Sequence, residues 1–246
     1  MRRTPHARHR WPIVVCFALA LILPLPLSAG PLETSHPDWD STFSIVALDP
    51  ATGHLGVAVS TARLAVGNRV PYVKAKVGAV ATQANTNPAL AYEALLLLEM
   101  GKSAQDALNA ALGSDPGREE RQLTVIDAKG NKAAFTGAKP DDYKGHLIGT
   151  NCVVAGNILV GPETLTAMVE TFDKTQGTLG DKIMAAMEAG QKAGGDKRGK
   201  ISAAILVATD SLHPYINLRV DDSADPVADL RKLYDAYKKA FLTPRP

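Results

Sequence analysis

"TFSIVALDPATGHLGVAVST", Thr42–Thr61, decides the fold: two short β-rich runs, "TFSIVALD" and "LGVAVST", flank the turn "DPATGH". Gly53 gives that turn a residue free to take positive φ, so the spacing predicts a hairpin of the longer-loop kind. A hairpin pairs its strands antiparallel, and the later strands extend that pattern. "VPYVKAK" and "VGAVATQA" read as two further strands. The texture then switches to helix at "PALAYEALLLLEMG", with Pro88 in the first turn and Gly101 as a stop, and Ser103 opens a second helix with Asp106 at capping-box spacing.

A second hairpin, "RQLTVIDAKGNKAAFTG", turns at "DAKGN"; a loop rich in Gly and Asp follows, and "CVVAGNILVG" reads as a buried strand. Two helices come next, one beginning at Pro162 and one capped by Thr178 with Ile183, Met184 and Met187 on one face. "ISAAILVATD" and "YINLRVDD" are strands, and a last helix from Asp225-Pro226 carries Leu230, Leu233, Tyr234, Tyr237 and Phe241 at helical spacing. The order is strands, helix pair, strands, helix pair, strands, helix. Antiparallel sheets with a helix pair over each outer face follow from it, in the α+β class.

Upstream of the first strand the chain has a different character. "MRRTPHARHR" is basic and free of acids, "WPIVVCFALALILPLPL" is apolar, and Ser28, Ala29 and Gly30 are small, the layout of a secretory signal peptide over residues 1–29. Pro24 and Pro26 interrupt the apolar run, and no second stretch of spanning length follows, so the expectation is an exported chain, periplasmic or extracellular, with no membrane segment once the signal is removed. Residues 30–41 read as a polar leader, and residues 42–240 as one domain. Without residues 1–29, which hold Arg2, Arg3, Arg8 and Arg10 and no acid, Lys+Arg falls from 27 to 23 against 25 Asp+Glu, and the net charge from +2 to −2. That balance offers no basic face for nucleic acid. Loss of Cys16 leaves Cys152 alone, which excludes an internal disulfide; at the start of an apolar strand it reads as a small buried hydrophobe.

Familiar chemistries are missing from the sequence. It has no phosphate-binding Gly-Lys-Ser/Thr loop, no dinucleotide glycine motif and no G-x-S-x-G elbow. His36, His54, His146 and His213 are scattered without a second ligand at zinc spacing, which calls for no metal and no cofactor and weakens a serine–histidine triad. What remains is the hydroxyl pair Ser41-Thr42 at the threshold of the first strand. A threonine hydroxyl needs a base beside it, and an N-terminal residue brings its own: an α-amine with a reference pKa of about 7.7–8.0 is substantially neutral near pH 7–8. The chemistry requires cleavage that frees Thr42 or Ser41.

"TFSIVALDPATGHLGVAVST", "GAVATQANTNP", "DPGREERQLTVIDAKGNKAAFTG", "AGNILVG" and "AGGDKRGKISAAILV" closely resemble an uncharacterised bacterial family placed among the N-terminal nucleophile (Ntn) hydrolase-like proteins. The resemblance covers nearly the whole chain from Thr42 to Tyr237. It implies a four-layer αββα sandwich, two antiparallel sheets between helix layers; hydrolysis of a small amide or peptide-like bond through an acyl intermediate on Thr42 is the leading reading of the chemistry. Cytoplasmic members look as if they begin Met-Thr-Phe-Ser, whereas a leader intervenes in this chain. Two positions depart from the pattern: Ala62 stands where relatives carry a basic residue, with Arg63 beside it, and Ala155 where they carry Gln.

Around such a nucleophile, Thr61 can hydrogen-bond near the hydroxyl, and Gln83 and Asn85 can donate to a developing oxyanion. Lys74 and Lys76, on one face by strand parity, are candidates for an activating cation. The plainer readings stay open: Gln83 and Asn85 as turn and helix cap, the lysines as solvated edge charges. Asn157 and the loop "AGGDKRGK" with Asp196, Arg198 and the following Ser202 are expected at the cleft, Arg198 gripping a substrate carboxylate. A non-catalytic ligand-binding or scaffold protein on the same fold is the rival reading. The sequence also leaves open whether the chain forms a homo-oligomer.

Overall fold

The computed structural model describes residues 42–139, 143–211 and 213–242. The segments read from the sequence as a signal peptide, 1–29, and a polar leader, 30–41, lie outside the described residues. β1 (Thr42–Asp49), β2 (His54–Thr61), β3 (Pro71–Lys74) and β4 (Gly78–Ala84) precede α1 (Pro88–Glu99) and α2 (Ala104–Gly113). β5 (Arg121–Asp127), β6 (Lys132–Thr136), β7 (Tyr143–Ile148) and β8 (Cys152–Leu159) lead into α3 (Glu163–Lys174) and α4 (Leu179–Lys192). β9 (Ser202–Ala208), β10 (Ile216–Val220) and α5 (Pro226–Tyr237) follow.

The strands form two antiparallel sheets, one in the order β10-β9-β2-β1-β8-β7 and one in the order β3-β4-β5-β6. Period-2 alternation along β1 shows how they stack. Phe43, Ile45 and Ala47 pack against Leu165, Met168, Ile183 and Met187 of α3 and α4, with Leu230 and Tyr234 of α5 in the same cluster. The alternate residues Val46 and Leu48 face Ala79 and Ile126 of the other sheet. That sheet turns Val80 and Leu123 outward onto Leu90, Leu95 and Leu108 of α1 and α2. The result is the four-layer αββα sandwich, helix layers outside and two sheets within. Phe43 is wholly buried, and a side chain of that size in such a core is worth about 3–5 kcal/mol against alanine.

The caps are local. The Asn87 side chain accepts the Ala89 N–H ahead of Pro88 at N1, the Ser103 hydroxyl accepts the Asp106 N–H, and Thr178 with Asp181 forms a complete capping box. Gly53 takes φ +72°, as the first hairpin requires. Two expectations fail. The segment read as a loop before β8 contains β7, an edge strand whose Lys144, Gly145 and His146 carry little β signal and which becomes a strand by pairing with β8. β3 stops at Lys74 and Lys76 sits in a turn at φ +62°, so the two lysines do not share a strand face.

Candidate active site

Register places four polar residues in one row at one end of the larger sheet. Thr42 of β1 is paired with Asn157 of β8 on one side and Thr61 of β2 on the other, and Thr61 is paired with Ser202 of β9. Direct cross-strand partners share a face, and the face here is the inner one by strand alternation: Val59 and Ala204, two residues from Thr61 and Ser202, and Val46 and Val153, four from Thr42 and Asn157, belong to the layer between the sheets. The seam between the sheets therefore changes character along its length. Val46, Leu48, Leu55, Val57, Ala79 and Ile126 fill one end, whereas Thr42, Ser44, Gln83, Gln122, Thr124 and Asn157 are buried at the other.

At its polar end the seam opens into a cavity of about 430 Å³ lined by Thr42, Thr61, Ala62, Arg63, Leu64, Val66, Arg69, Val70, Thr86 and Ile201. Thr42 is 4% exposed on its floor, and its Oγ1 faces the Thr61 Oγ1 at 3.4 Å, longer than a normal hydroxyl hydrogen bond. The segment after β2 forms one wall and is fastened by its backbone. The Ala62 N–H donates to Asp196 Oδ2 at 2.9 Å, the Ser202 hydroxyl donates to the Arg63 carbonyl at 2.5 Å, and the Val66 N–H donates to Ser202 Oγ at 3.1 Å. The Ala65 N–H donates to the Asp221 carbonyl at 3.0 Å, and Ala65 itself sits at φ +54°.

Behind Thr42 the two sheets are bolted by amides. Gln122 Oε1 accepts from Gln83 Nε2 at 2.6 Å and from Asn157 Nδ2 at 3.0 Å, while Gln122 Nε2 donates to Thr136 Oγ1 and to the carbonyls of Gly145 and Gly156, each at 2.9 Å. Thr136 Oγ1 in turn meets His146 Nδ1 at 2.9 Å, and burial pushes the imidazole below its ordinary range. Among the described residues, Ser44 Oγ, Thr124 Oγ1 and Gln83 Oε1 are buried with no hydrogen-bond partner. A core tolerates few such groups, at a cost of about 1–3 kcal/mol each.

The candidates read from the sequence thus separate. Thr42 and Thr61 meet in the cavity. Asn157 stands next to Thr42 in register but spends an amide hydrogen on Gln122. Gln83 does the same and does not line the cavity. Asn85 is held away from it: its side chain donates to Glu120 at 2.8 Å, its carbonyl accepts from Arg121 at 2.6 Å, and the helix cap is Asn87. Lys139 first, then Asn85, holds the Glu120 carboxyl below its usual range. Asp196 and Ser202 lie behind the cavity wall and fix its backbone; they do not reach into the cavity. The glycines of "AGGDKRGK" do turn at positive φ, +125° at Gly194 and +60° at Gly195. Arg198, however, lies with its Nε 3.5 Å from Asp196 and is not on the wall. Lys74 is exposed and paired with Glu99 at 2.6 Å. Cys152 is buried, and burial pushes its thiol up to about 12, which makes it inert.

Sequence reasoning missed Arg69, Thr86 and Gln122. Arg69, just before β3, and Thr86, just after β4, come to the cavity together at the open end of the β3–β4 hairpin, a pairing across the hairpin with no local signal. Gln122 had one: a glutamine on the inward parity of a strand whose neighbours are Leu and Val. Among the described residues, no group of three or more His, Cys, Asp or Glu side chains stands ready for a metal, and no helix is long and apolar enough to cross a membrane.

Residues 42–230 match the family of unknown function DUF1028. The crystal structure of protein SPO2555 from Silicibacter pomeroyi, assigned to the same family, is 36% identical over 81% of this chain and 87% of its own, with a TM-score of 0.76. Anbu (ancestral beta-subunit) from Yersinia bercovieri is 12% identical over 83% of this chain and 98% of its own at a TM-score of 0.37, and Anbu from Hyphomicrobium sp. strain MC1 is 13% identical over 83% and 98% at 0.39. No curated protein matches the chain.

Proposed function

We propose that this chain, which belongs to the DUF1028 family, is an exported hydrolase of a small amide or peptide-like bond that uses Thr42 as an N-terminal nucleophile. One observation carries the reading: Thr42 begins one of the two central strands of the larger sheet and lines the cavity at the polar end of the seam between the sheets. A residue at that point, once made N-terminal, has its α-amine within its own side chain's reach. The amine takes the hydroxyl proton while Oγ1 attacks the substrate carbonyl carbon, and the proton passes to the leaving amine as the C–N bond breaks. Water then cleaves the threonyl ester by the same amine, returning the acid and the free hydroxyl. Thr61 sits where it can hold Oγ1 in line. The acid-free basic start and the apolar run of residues 1–29 support export.

The rival, a non-catalytic ligand-binding protein with the same cavity, is favoured by one fact: residues precede Thr42 in the sequence, and until they are cut its nitrogen is an amide without basicity. One experiment separates the two. Intact mass and N-terminal sequencing are measured on protein recovered from the compartment where it accumulates, alongside amide turnover by wild type, Thr42→Ala and Thr42→Ser. The hydrolase reading expects a chain that begins at Thr42, no turnover in Thr42→Ala and partial turnover in Thr42→Ser. An active chain that keeps Asp38-Trp39-Asp40, or a fully active Thr42→Ala, ends that reading.

A further inference from the structure

The cavity wall presents a cation that the fold itself does not use. Five arginines of the described chain face a carboxylate: Arg118 with Glu119, Arg121 with Asp115, Arg198 with Asp196, Arg219 with Asp221 and Arg231 with Glu188. Arg63 has no ion pair among the described residues and lines the cavity together with Thr42. No carboxylate lines that cavity, whereas a second guanidinium, that of Arg69, does. The backbone under Arg63 is held on both sides: the buried Asp196 takes the N–H of the preceding residue, and the buried Ser202 binds the Arg63 carbonyl and the Val66 N–H. A buried acid and a buried hydroxyl thus spend their hydrogen bonds keeping an exposed arginine at the mouth. Surface arginines need no such support, and a pre-positioned guanidinium binds with less ordering cost.

We infer that Arg63 is an anion-recognition residue and that the cavity takes a small amide bearing a free carboxylate, such as an N-acyl amino acid or a peptide of that size. The planar fork of a guanidinium matches a carboxylate in bidentate fashion. Leu64, Val66, Val70 and Ile201 offer the rest of the cavity to an apolar side chain, and a volume of about 430 Å³ limits the ligand to that size. Arg198, in contrast, is turned to Asp196 and is outside the wall, so the carboxylate grip expected of it from the sequence falls to Arg63. This inference rests on the proposal that the cavity is the active site, and it is tested by binding so that the two can fail separately.

The probes are N-acetyl-leucine and N-acetyl-leucinamide, identical except that a carboxylate is replaced by a neutral amide. Calorimetric titration of the full chain is expected to show the acid bound at least about tenfold tighter than the amide, the worth of a charge-assisted bidentate contact. The ratio should fall to about one in Arg63→Gln, stay between the two in Arg63→Lys, which keeps the charge without the fork, and be unchanged in Arg118→Gln, whose arginine lies outside the cavity. Arg63 is exposed, and thermal melts of the variants should match wild type. Thr42→Ala should keep the ratio: preference for the acid without turnover leaves the anion site standing and removes only the hydrolase. Equal binding of acid and amide, no binding of either up to millimolar concentration, or a preference that survives Arg63→Gln overturns the inference.

Discussion

Replacing Asp196 by asparagine tests whether the cavity wall is held from behind. The Asp196 carboxylate accepts two backbone N–H groups, Ala62 on Oδ2 at 2.9 Å and Arg198 on Oδ1 at 2.8 Å, and its side chain is 1% exposed. Asparagine keeps one acceptor oxygen and turns an NH₂ toward the other N–H. One charge-assisted hydrogen bond, worth about 1.5–3 kcal/mol, is lost, and a donor is left facing a donor at a cost of about 1–3 kcal/mol; the two overlap, so the expected loss is about 2–4 kcal/mol. For a domain of this size that corresponds to a fall in Tm on the order of 5–12 °C. Urea unfolding with unchanged m-value measures the loss, and amide hydrogen exchange locates it: the segment from Ala62 to Val66 should exchange faster while β5 and β8 keep their protection. A loss below about 0.5 kcal/mol, typical of an unimportant surface position, with unaltered exchange at Ala62 would refute the idea that Asp196 anchors the wall.

Three further outcomes follow from the packing. Gln122→Leu removes the acceptor of Gln83 and Asn157 and the donor to Thr136, Gly145 and Gly156, and should cost more than about 3 kcal/mol in urea unfolding, because several buried groups lose partners at once. Burial opposes ionisation of Asp181, but Lys238 Nζ at 2.7 Å, Thr178 and Tyr234 outweigh it and bring the carboxyl down from 3.8 to about 2. A depressed carboxyl contributes its stability fully above its unfolded pKa and loses it as pH falls toward the folded one, so on the order of 2 kcal/mol should vanish between about pH 5 and pH 2 in wild type and be missing from that window in Asp181→Asn. Native Cys152, with its thiol pushed up to about 12 by burial, should resist iodoacetamide at pH 8 for as long as the chain stays folded, as mass spectrometry would show.

The fold was legible because its signals are local. The turn glycines at 53 and 130, the caps at Ser103 and Thr178, and the alternation of Phe43, Ile45 and Ala47 with Val46 and Leu48 all act within a few residues of themselves. β7 was not legible, because an edge strand with Gly145 and His146 owes its conformation to its neighbour's hydrogen bonds. The site divides along the same line. Thr42 and Thr61 could be found from a hairpin whose two outer ends are both threonine, since antiparallel pairing brings those ends together. The roles of Asp196 and Ser202 could not: each acts on the backbone of a segment more than a hundred residues away in sequence. A charged Gly-rich loop looks the same in sequence whether it faces a ligand or props up the wall that does.

Strain points to the same end of the molecule. Four described residues other than glycine take positive φ: Ala65, Lys76, Ala84 and Ile158. Lys76 occupies an exposed turn at the far end of the β3–β4 hairpin. The other three lie at the polar end of the seam: Ala65 follows Leu64 in the cavity wall, Ala84 ends β4 directly after Gln83, and Ile158 follows Asn157. Ile158 is the most telling, because a β-branched residue in the left-handed region is a true outlier, with a cost of about 1–3 kcal/mol. It breaks the pleat one residue beyond the partner of Thr42, and the Ile158 carbonyl then accepts the Lys197 N–H at 3.0 Å, which draws the "AGGDKRGK" loop down so that Asp196 reaches Ala62. Unpartnered polar atoms, left-handed residues and an arginine without an ion pair gather where the seam opens, while the opposite end is plain Val, Leu and Ile. A sequence that keeps the local rules at one end of a sandwich, the Lys76 turn apart, and breaks several at the other is bearing that cost for something the open end does.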